Sequence, residues 1–223
     1  MGEKVVIFGA TEMAMMSHFY LTHDSPHEVV AFTVDRGFIK EETFLGLPVV
    51  PFEEVEFIYP PGDYKMMVAI FYGRVNKTRA EKYFQAKTKG YDLISYVSSK
   101  AITWPGLVAG DNSIILESTV IQPFAEIGND VIVMSGSVVG HHCVIKDHCF
   151  LAFHVVVAGC ASIEPYCFLG ANSTIRNNVI VAKECIIGAA ALVLENTQER
   201  GVYKGRPAEL LPKPSNLTNP WLK

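Results

Sequence analysis

The chain has 223 residues, of which 49% are hydrophobic and 19% charged, as is usual for a globular protein of one large or two small domains. Its net charge of −4 leaves no excess of Lys and Arg for binding nucleic acid. The longest apolar stretch, residues 66–72, is far below the roughly 20 residues that span a bilayer, so we expect no membrane span.

The first half of the sequence alternates strands with helices. Short apolar runs predict strands, and helical spacing predicts helices at about 11–22 and 75–89; the predicted strands are residues 4–8, 28–34, 66–70 and 93–96. Because strands that alternate with helices form parallel sheets, we predict an α/β domain over residues 1–97.

The second half carries a repeat of six residues. Stepping by six from Ile115 to Val193 gives fourteen aliphatic residues in succession, and the positions two before them are all small or Val. This pattern is the signature of a parallel β-helix built from hexapeptides. Three hexads close one triangular coil of 18 residues, in which the aliphatic side chain points inward and stacks on the next coil about 4.8 Å away. We predict an all-β left-handed β-helix over residues 98–223.

The cysteines fit this repeat. There are five, with no CxxC pair, which argues against a disulfide framework. Four of them occupy the small stacking position, where Cys behaves as a small hydrophobe, whereas Cys160 lies outside that column and has no assigned role. The N-terminus lacks a secretory signal, so we expect a cytoplasmic protein with free thiols.

The ends and flat faces of a solenoid have to be covered. We expect the N-terminal domain to cover one end and the proline-rich tail from Glu195 to cover the other. Three-fold packing of copies along the flat faces suits a triangular prism, so we expect a homotrimer.

Four histidines, residues 141, 142, 148 and 154, lie within the repeat. The 18-residue coil places His141 next to Gly159, His148 between Asp130 and Tyr166, and His154 beside Gly136. The spacing argues against a zinc site, because histidines six residues apart lie on different sides of the triangle. For His148 and His154 we expect surface or interface positions. We therefore expect no metal.

Four short motifs complete the pattern: residues 7–10 at the first turn, Val34-Asp35 after the second strand, Gly140-His141, and residues 205–208 near the end. Together with the two domains they resemble the bacterial sugar acyltransferases, which join a small Rossmann-like domain to a left-handed β-helix. The resemblance covers essentially the whole chain. It implies transfer of acetyl from acetyl-CoA to a nucleotide-linked amino sugar, such as a 4-amino-4,6-dideoxy sugar of lipopolysaccharide O-antigen.

The resemblance implies that His141 is the general base, a role that suits an imidazole titrating near pH 6.5. The family often has an acidic residue next, where this chain has His142, which we include as a catalytic candidate. Another family position that can hold His is Phe150 here. The resemblance also implies that acetyl-CoA lies in the groove between two prisms, against Gly159, Gly188, Ala189, Lys204, Arg206 and Pro207.

The nucleotide sugar is expected at the carboxyl ends of the N-terminal strands, the usual crevice of open α/β sheets. The candidate contacts there are Gly9, Ala10, Thr11, Asp35, Arg36 and Asn76, with Lys77 and Arg79 as further candidates or as parts of a helix face. A single glycine at the first turn is not a GxGxxG motif, so a dehydrogenase is rejected.

Two other functions stay open. O-acetylation of a sialic acid or another sugar hydroxyl is the first, although a hydroxyl needs stronger base assistance than an amine. A scaffold that binds nucleotide sugar without turnover is the second, and the presence of His141 and the Gly-Arg-Pro-Ala tail argues against it.

Overall fold

The computed structural model describes residues 2–208. Its N-terminal unit is a five-stranded sheet in the order β3-β4-β2-β1-β5. The strands are β1 (Lys4–Phe8), β2 (Glu28–Val34), β3 (Thr43–Phe44), β4 (Leu47–Pro51) and β5 (Lys65–Val68). All neighbours are parallel except the β3–β4 hairpin.

Three α-helices and one short 3₁₀ segment accompany this sheet. The helices are α1 (Glu12–Asp24), α2 (Val55–Ile58) and α3 (Lys77–Thr88), and the 3₁₀ segment is Arg36–Phe38. The predicted α/β alternation is confirmed over residues 4–88, and the strands at 4–8 and 28–34 have the predicted bounds. The strand predicted at 93–96 is instead Tyr96–Val97, which pairs with Ile114–Ile115 of the second unit. The β3–β4 hairpin and α2 were not predicted. None of the helices between residues 2 and 208 combines the length and hydrophobicity that crossing a bilayer requires.

The second unit is a triangular parallel β-helix, whose left-handed form is indicated by the hexapeptide repeats. Side A contains five strands: β7 (Val108–Ala109), β10 (Glu126–Ile127), β13 (Val144–Ile145), β16 (Ser162–Ile163) and β19 (Ile180–Val181). Side B contains seven strands: β6 (Tyr96–Val97), β8 (Ile114–Ile115), β11 (Ile132–Val133), β14 (Phe150–Leu151), β17 (Phe168–Leu169), β20 (Ile186–Ile187) and β22 (Val202–Tyr203). Side C contains five strands: β9 (Val120–Ile121), β12 (Val138–Val139), β15 (Val156–Val157), β18 (Thr174–Ile175) and β21 (Leu192–Val193).

Both predicted columns of the repeat are confirmed. The fourteen aliphatic residues from Ile115 to Val193 are the second residues of strands β8 to β21, and all are buried in one core. The small column is buried throughout, including Cys143, Cys149, Cys167 and Cys185. Strand pairing joins residues 18 apart, as in Val133 and Leu151, so the coil has the predicted length.

Each corner of the prism contains one residue in the left-handed backbone region, at a spacing of six. Thirteen of these fourteen corner residues are not glycine, and their φ angles lie between 54° and 65°. They are Asn112, Ser118, Phe124, Asp130, Gly136, His142, His148, His154, Cys160, Tyr166, Asn172, Asn178, Glu184 and Ala190. Neighbouring coils bring some of these side chains together, as in the ring contacts of Phe124 with His142 and of His148 with Tyr166.

The N-terminal unit packs on the outer face of side B, so the prediction that it covers an end of the solenoid was wrong. The outward residues Ile114, Ile132 and Phe150 share a core with Met13 and Leu21 of α1. The physical reason is that side B places bulky apolar residues outward, whereas side A has residues such as Glu126 and Ser162 at equivalent positions. Burying this apolar face drives the contact.

A buried polar network fixes the same contact at the corner between sides A and B. Arg79 of α3 is fully buried, and it donates to the Asp130 carboxylate at 3.0 Å and to the backbone oxygen of Cys149 at 3.2 Å. Asn112 and His148 also bond Asp130, at 2.7 Å and 2.9 Å. The expectation of a surface or interface position for His148 was therefore wrong, because its ring is buried by α3 and stacks on Tyr166.

The described part of the tail covers the C-terminal end of the prism. Strand β22 pairs with β20, and the side chain of Asn196 accepts a hydrogen bond from the backbone of Ile180. The remaining prolines of the predicted cap, Pro212, Pro214 and Pro220, lie outside the described residues.

Candidate functional site

The candidate base is on the corner between sides C and A, which we call the base corner (His141, His142, Gly159 and Cys160). The 18-residue coil places His141 against Gly159 and His142 against Cys160. The backbone N–H of Cys160 donates to the His141 carbonyl at 2.9 Å, and the side chain of Gln122 accepts from the His141 N–H at 2.9 Å. The backbone that carries the histidines is thus fixed by the coils on either side.

Gly159 leaves the space that the His141 ring occupies. A Cβ atom at residue 159 would lie 2.6 Å from His141 Nε2 and 2.7 Å from Cε1, which is well inside van der Waals contact. Between residues 2 and 208 no oxygen accepts the N–H of Gly159. A substrate carbonyl beside this glycine therefore has a donor and a base close together.

The second ring nitrogen of His141 faces His142. The two Nδ1 atoms are 3.2 Å apart, so one of them carries a proton and the other accepts it. With the proton on His141 Nδ1, its Nε2 has a free lone pair directed towards Gly159. His142 stacks on Phe124 with ring centroids 4.8 Å apart, and this contact holds the accepting ring in place.

The thiols of Cys143 and Cys149 are unsuited to nucleophilic catalysis. Burial raises the pKa of the thiols of Cys143 and Cys149, which keeps both protonated at neutral pH. Cys160 differs, because its side chain is exposed and its Sγ lies 3.9 Å from His141 Nδ1. This neighbour was not predicted from the sequence, although the coil length that relates His141 to Gly159 also relates His142 to Cys160.

Phe150 lies away from this corner. Its side chain points outward from side B, stacks on Phe168 at 5.5 Å between ring centroids, and contacts Tyr72 at 5.1 Å. The residue belongs to the core between the two units.

The candidate cofactor residues divide between two corners. Gly159 lies at the base corner, whereas Gly188, Ala189, Lys204, Arg206 and Pro207 lie on the corner between sides B and C, which we call the tail corner. Gly205 packs closely on Ala189 there, so the tail follows the last coil. Lys204 and Arg206 have exposed side chains. A single chain therefore does not bring all of these residues together.

The candidate substrate residues Gly9, Ala10, Thr11 and Asp35 line a cavity of about 520 Å³ in the N-terminal unit. The cavity opens at the carboxyl ends of β1, β2 and β5. Gly9 is needed because its φ is +131° and a Cβ atom would lie 2.7 Å from the backbone oxygen of Ala69. Up to residue 208, no residue of the β-helix lines this cavity.

Two substrate candidates are excluded from the cavity lining. Asn76 is fully buried, and its amide donates to the backbone oxygen of Cys167 at 2.9 Å. The prediction of Asn76 as a substrate contact was wrong, because α3 packs its first turn onto the prism. The same packing engages the next residues of α3. Lys77 pairs with Glu184 at 2.8 Å, and Arg79 pairs with Asp130. The exposed side chain of Arg36 pairs with Glu54 outside the cavity lining.

Several residues that line the cavity were not predicted from the sequence. They come from the segment around β3 and from α3, and include Phe38, Lys40, Phe44, Thr78 and Lys82. Lys82 donates to the Asp35 carboxylate at 2.5 Å. The available signal was the apolar residues Phe38, Ile39 and Phe44 within the charged segment 36–44.

Comparisons with known proteins agree with this architecture. Residues 124–159 match the family described as bacterial transferase hexapeptide (six repeats). No curated protein matches the chain in sequence.

Three solved structures cover 94% of this chain. The acetyltransferase domain of PglB from Neisseria gonorrhoeae has a TM-score of 0.83 at 20% identity, with 100% of that chain covered. A perosamine N-acetyltransferase variant from Caulobacter crescentus, in complex with CoA and GDP-perosamine, has a TM-score of 0.79 at 22% identity, with 97% of that chain covered. WeeI from Acinetobacter baumannii has a TM-score of 0.74 at 22% identity, with 100% of that chain covered. The chain therefore has, over nearly its whole length, the fold of these proteins, and it carries the hexapeptide repeats of the bacterial transferases.

Proposed function

We propose that the chain is an acyltransferase that moves acetyl from acetyl-CoA to the amine of a nucleotide-linked amino sugar. The observation that carries this proposal is the base corner, where His141 Nε2 lies beside Gly159 and Nδ1 is held by His142. The fold similarity supports it, since one of the similar structures contains acetyl-CoA and another contains CoA with GDP-perosamine.

The proposed reaction is a direct transfer. The sugar amine attacks the thioester carbon, and His141 Nε2 takes the proton that the amine loses. The carbonyl oxygen becomes negative in the tetrahedral intermediate, where the Gly159 N–H stabilises it. The carbon–sulfur bond then breaks, and the CoA thiolate is released and protonated, which gives the amide and CoA.

His142 takes the place of a carboxylate in this arrangement. Its Nδ1 accepts the proton of His141 Nδ1, which fixes the tautomer with a basic Nε2. A neutral imidazole gives less stabilisation to the charged His141 than a carboxylate does. This weaker support suits an amine acceptor better than a hydroxyl.

The N-terminal unit is proposed as a Rossmann-like domain that binds the nucleotide. Its parallel strands have the order β4-β2-β1-β5, and the cavity lies where ligands bind in open α/β sheets. Asp35 and the neighbouring Lys82 are the charged pair at the cavity. We expect Asp35→Asn to raise the KM for the nucleotide sugar with little change in the KM for acetyl-CoA.

A homotrimer is part of the proposal, because the base corner and tail corner belong to different corners of one prism. Sides A and C expose apolar side chains, among them Val108, Ile180 and Leu192, which suits packing between copies. In such an assembly one copy supplies the base corner and its neighbour supplies the tail corner. We also propose that the reaction is cytoplasmic, and that its product enters O-antigen synthesis.

The test is thiol release from acetyl-CoA with UDP-, dTDP- and GDP-linked 4-amino-6-deoxy sugars, a 3-amino analogue and free sialic acid. Turnover of an amino sugar that is lost in His141→Ala supports the proposal. Turnover of sialic acid alone identifies an O-acetyltransferase. Nucleotide-sugar binding without turnover of any acceptor supports the scaffold function.

A mixing experiment tests the shared site. His141→Ala and Arg206→Ala chains are co-purified from one cell through different affinity tags. A site shared between copies predicts that the mixed assembly is more active than either variant alone. Activity no higher than that of the two parents would show that one copy supplies both corners.

A further inference from the structure

Cys160 differs from every other cysteine of the chain in its surroundings. It is exposed at the base corner, one coil from His142, and both residues have the left-handed corner conformation, with φ angles of 61° and 57°. Acetyl transfer as proposed gives Cys160 no part. Its thiol nevertheless lies beside two imidazole nitrogens. Cysteine sulfur and histidine nitrogen are the ligands that zinc favours.

The separations match the edges of a tetrahedral metal site. Zinc binds His nitrogen at about 2.0–2.1 Å and Cys sulfur at about 2.3 Å, which gives tetrahedral edges of roughly 3.3 Å between nitrogens and roughly 3.6 Å from nitrogen to sulfur. The two Nδ1 atoms of His141 and His142 are 3.2 Å apart. Cys160 Sγ is 3.9 Å from His141 Nδ1, and the three ligand atoms all lie within 4.8 Å of one another.

The backbone holds these ligands in place before any ion binds. Cys160 N–H bonds to the carbonyl of His141, and His141 N–H bonds to Gln122. All three side chains are exposed in the single chain. Three protein ligands leave the fourth position of a tetrahedral ion for water.

We propose that His141, His142 and Cys160 bind Zn²⁺ or a similar divalent transition metal, and that this binding blocks acetyl transfer. The inhibitory part rests on the proposed function of His141. A neutral imidazole has one lone pair, so a metal ion on Nδ1 requires the proton on Nε2. The base then has no lone pair towards Gly159. The Cys160 thiol loses its proton to solvent when it binds the metal.

The proposal also accounts for the Nδ1–Nδ1 contact. Without metal, one proton lies between the two rings and His141 Nε2 is basic. With metal, the ion replaces that proton and both rings carry their protons on Nε2. The same three side chains thus have an active arrangement and an inhibited one that exclude each other.

Cobalt(II) absorption of the metal-free full chain tests binding without any acetyl-transfer assay. We expect one Co²⁺ per chain, with tetrahedral visible bands and a thiolate-to-cobalt charge-transfer band that Zn²⁺ displaces. Cys160→Ser removes the charge-transfer band. Cys185→Ser, a change at a buried cysteine, is the matched control and retains it. No charge-transfer band in the wild type, or one that persists in Cys160→Ser, would overturn the proposal.

Zinc sensitivity tests the inhibition. In the wild type, we expect turnover with chelator to be more than tenfold faster than turnover with one equivalent of Zn²⁺ per chain. Adding chelator to the zinc-treated enzyme is expected to restore the rate. In Cys160→Ser the ratio of the two rates is expected to approach one. Cobalt binding without zinc inhibition overturns the inhibitory part alone. A chain that transfers no acetyl but gives the cobalt spectrum disproves the proposed function and leaves the metal site supported.

Discussion

Gly159→Ala tests whether the position of the His141 ring limits the reaction. The added methyl would lie 2.6 Å from His141 Nε2, whereas such atoms approach no closer than about 3.5 Å at van der Waals contact. The ring must therefore move by about 0.9 Å. Because a displacement of about 1 Å in a catalytic group costs on the order of 100-fold in rate, we expect kcat/KM to fall about 100-fold.

The same substitution is expected to leave folding intact. The three atoms nearest to the added methyl all belong to the His141 side chain, which is exposed and can rotate. Replacing glycine by alanine also reduces the entropy of the unfolded chain, which favours the folded state by about 0.4–1 kcal/mol. The melting temperature should stay the same or rise slightly.

Steady-state kinetics and thermal denaturation check these two expectations together. Gly62→Ala, where a Cβ atom meets nothing within 4 Å, is the control for a change of glycine alone. In a His141→Ala background the added methyl should not lower kcat/KM any further, because the ring that it would displace is absent. An equal loss in both backgrounds would refute the reasoning and show that residue 159 acts by blocking the substrate.

The remaining predictions concern stability. Arg79→Ala leaves a buried carboxylate without its cation and should lower the free energy of unfolding by about 3–5 kcal/mol. Arg74→Ala, at an exposed ion pair, should change the free energy of unfolding by under about 1 kcal/mol. Urea denaturation measures both changes. Leu151→Ala in the inward column should cost about 2–5 kcal/mol in the same assay. The hydrogen bond from Lys77 lowers the pKa of Glu184 below its ordinary 4.5, so its stabilising effect is present above that pH and is lost as the pH falls through the folded pKa. Glu184→Gln should flatten this acid-side loss of melting temperature, and an unchanged slope would contradict the assignment.

The β-helix could be read from the sequence because every coil repeats the same local rule. The period of six located the inward residues from Ile115 to Val193, and the 18-residue coil paired His141 with Gly159. The contact between the two units was not predicted. It depends on which side of the prism carries bulky outward residues, and on Arg79 and Asn76 meeting partners more than 50 residues away in sequence.

The β3–β4 hairpin was missed for a local reason. Strand β4 begins at Leu47 and contains two prolines, at residues 48 and 51, and proline within an apolar run argues against a strand. The sheet accepts them because β4 lies near its edge and pairs on its outer side with only two residues of β3. The cavity-lining residues of the segment around β3, such as Phe38, Lys40 and Phe44, were not predicted for the same reason.

The corner residues have a consequence for how such a chain can change over evolutionary time. Closure of the prism depends on the inward and small columns, whereas the chemistry proposed at the base corner depends on the outward side chains of His141 and His142. Corner residues 18 apart are neighbours in successive coils, as His142 is of Phe124 and Cys160. A substitution there alters a short stack such as Phe124, His142 and Cys160 and leaves the buried columns unchanged. Reactivity and architecture are thus encoded at different positions of the same hexad, so new reactions can arise on this scaffold without the fold being rebuilt.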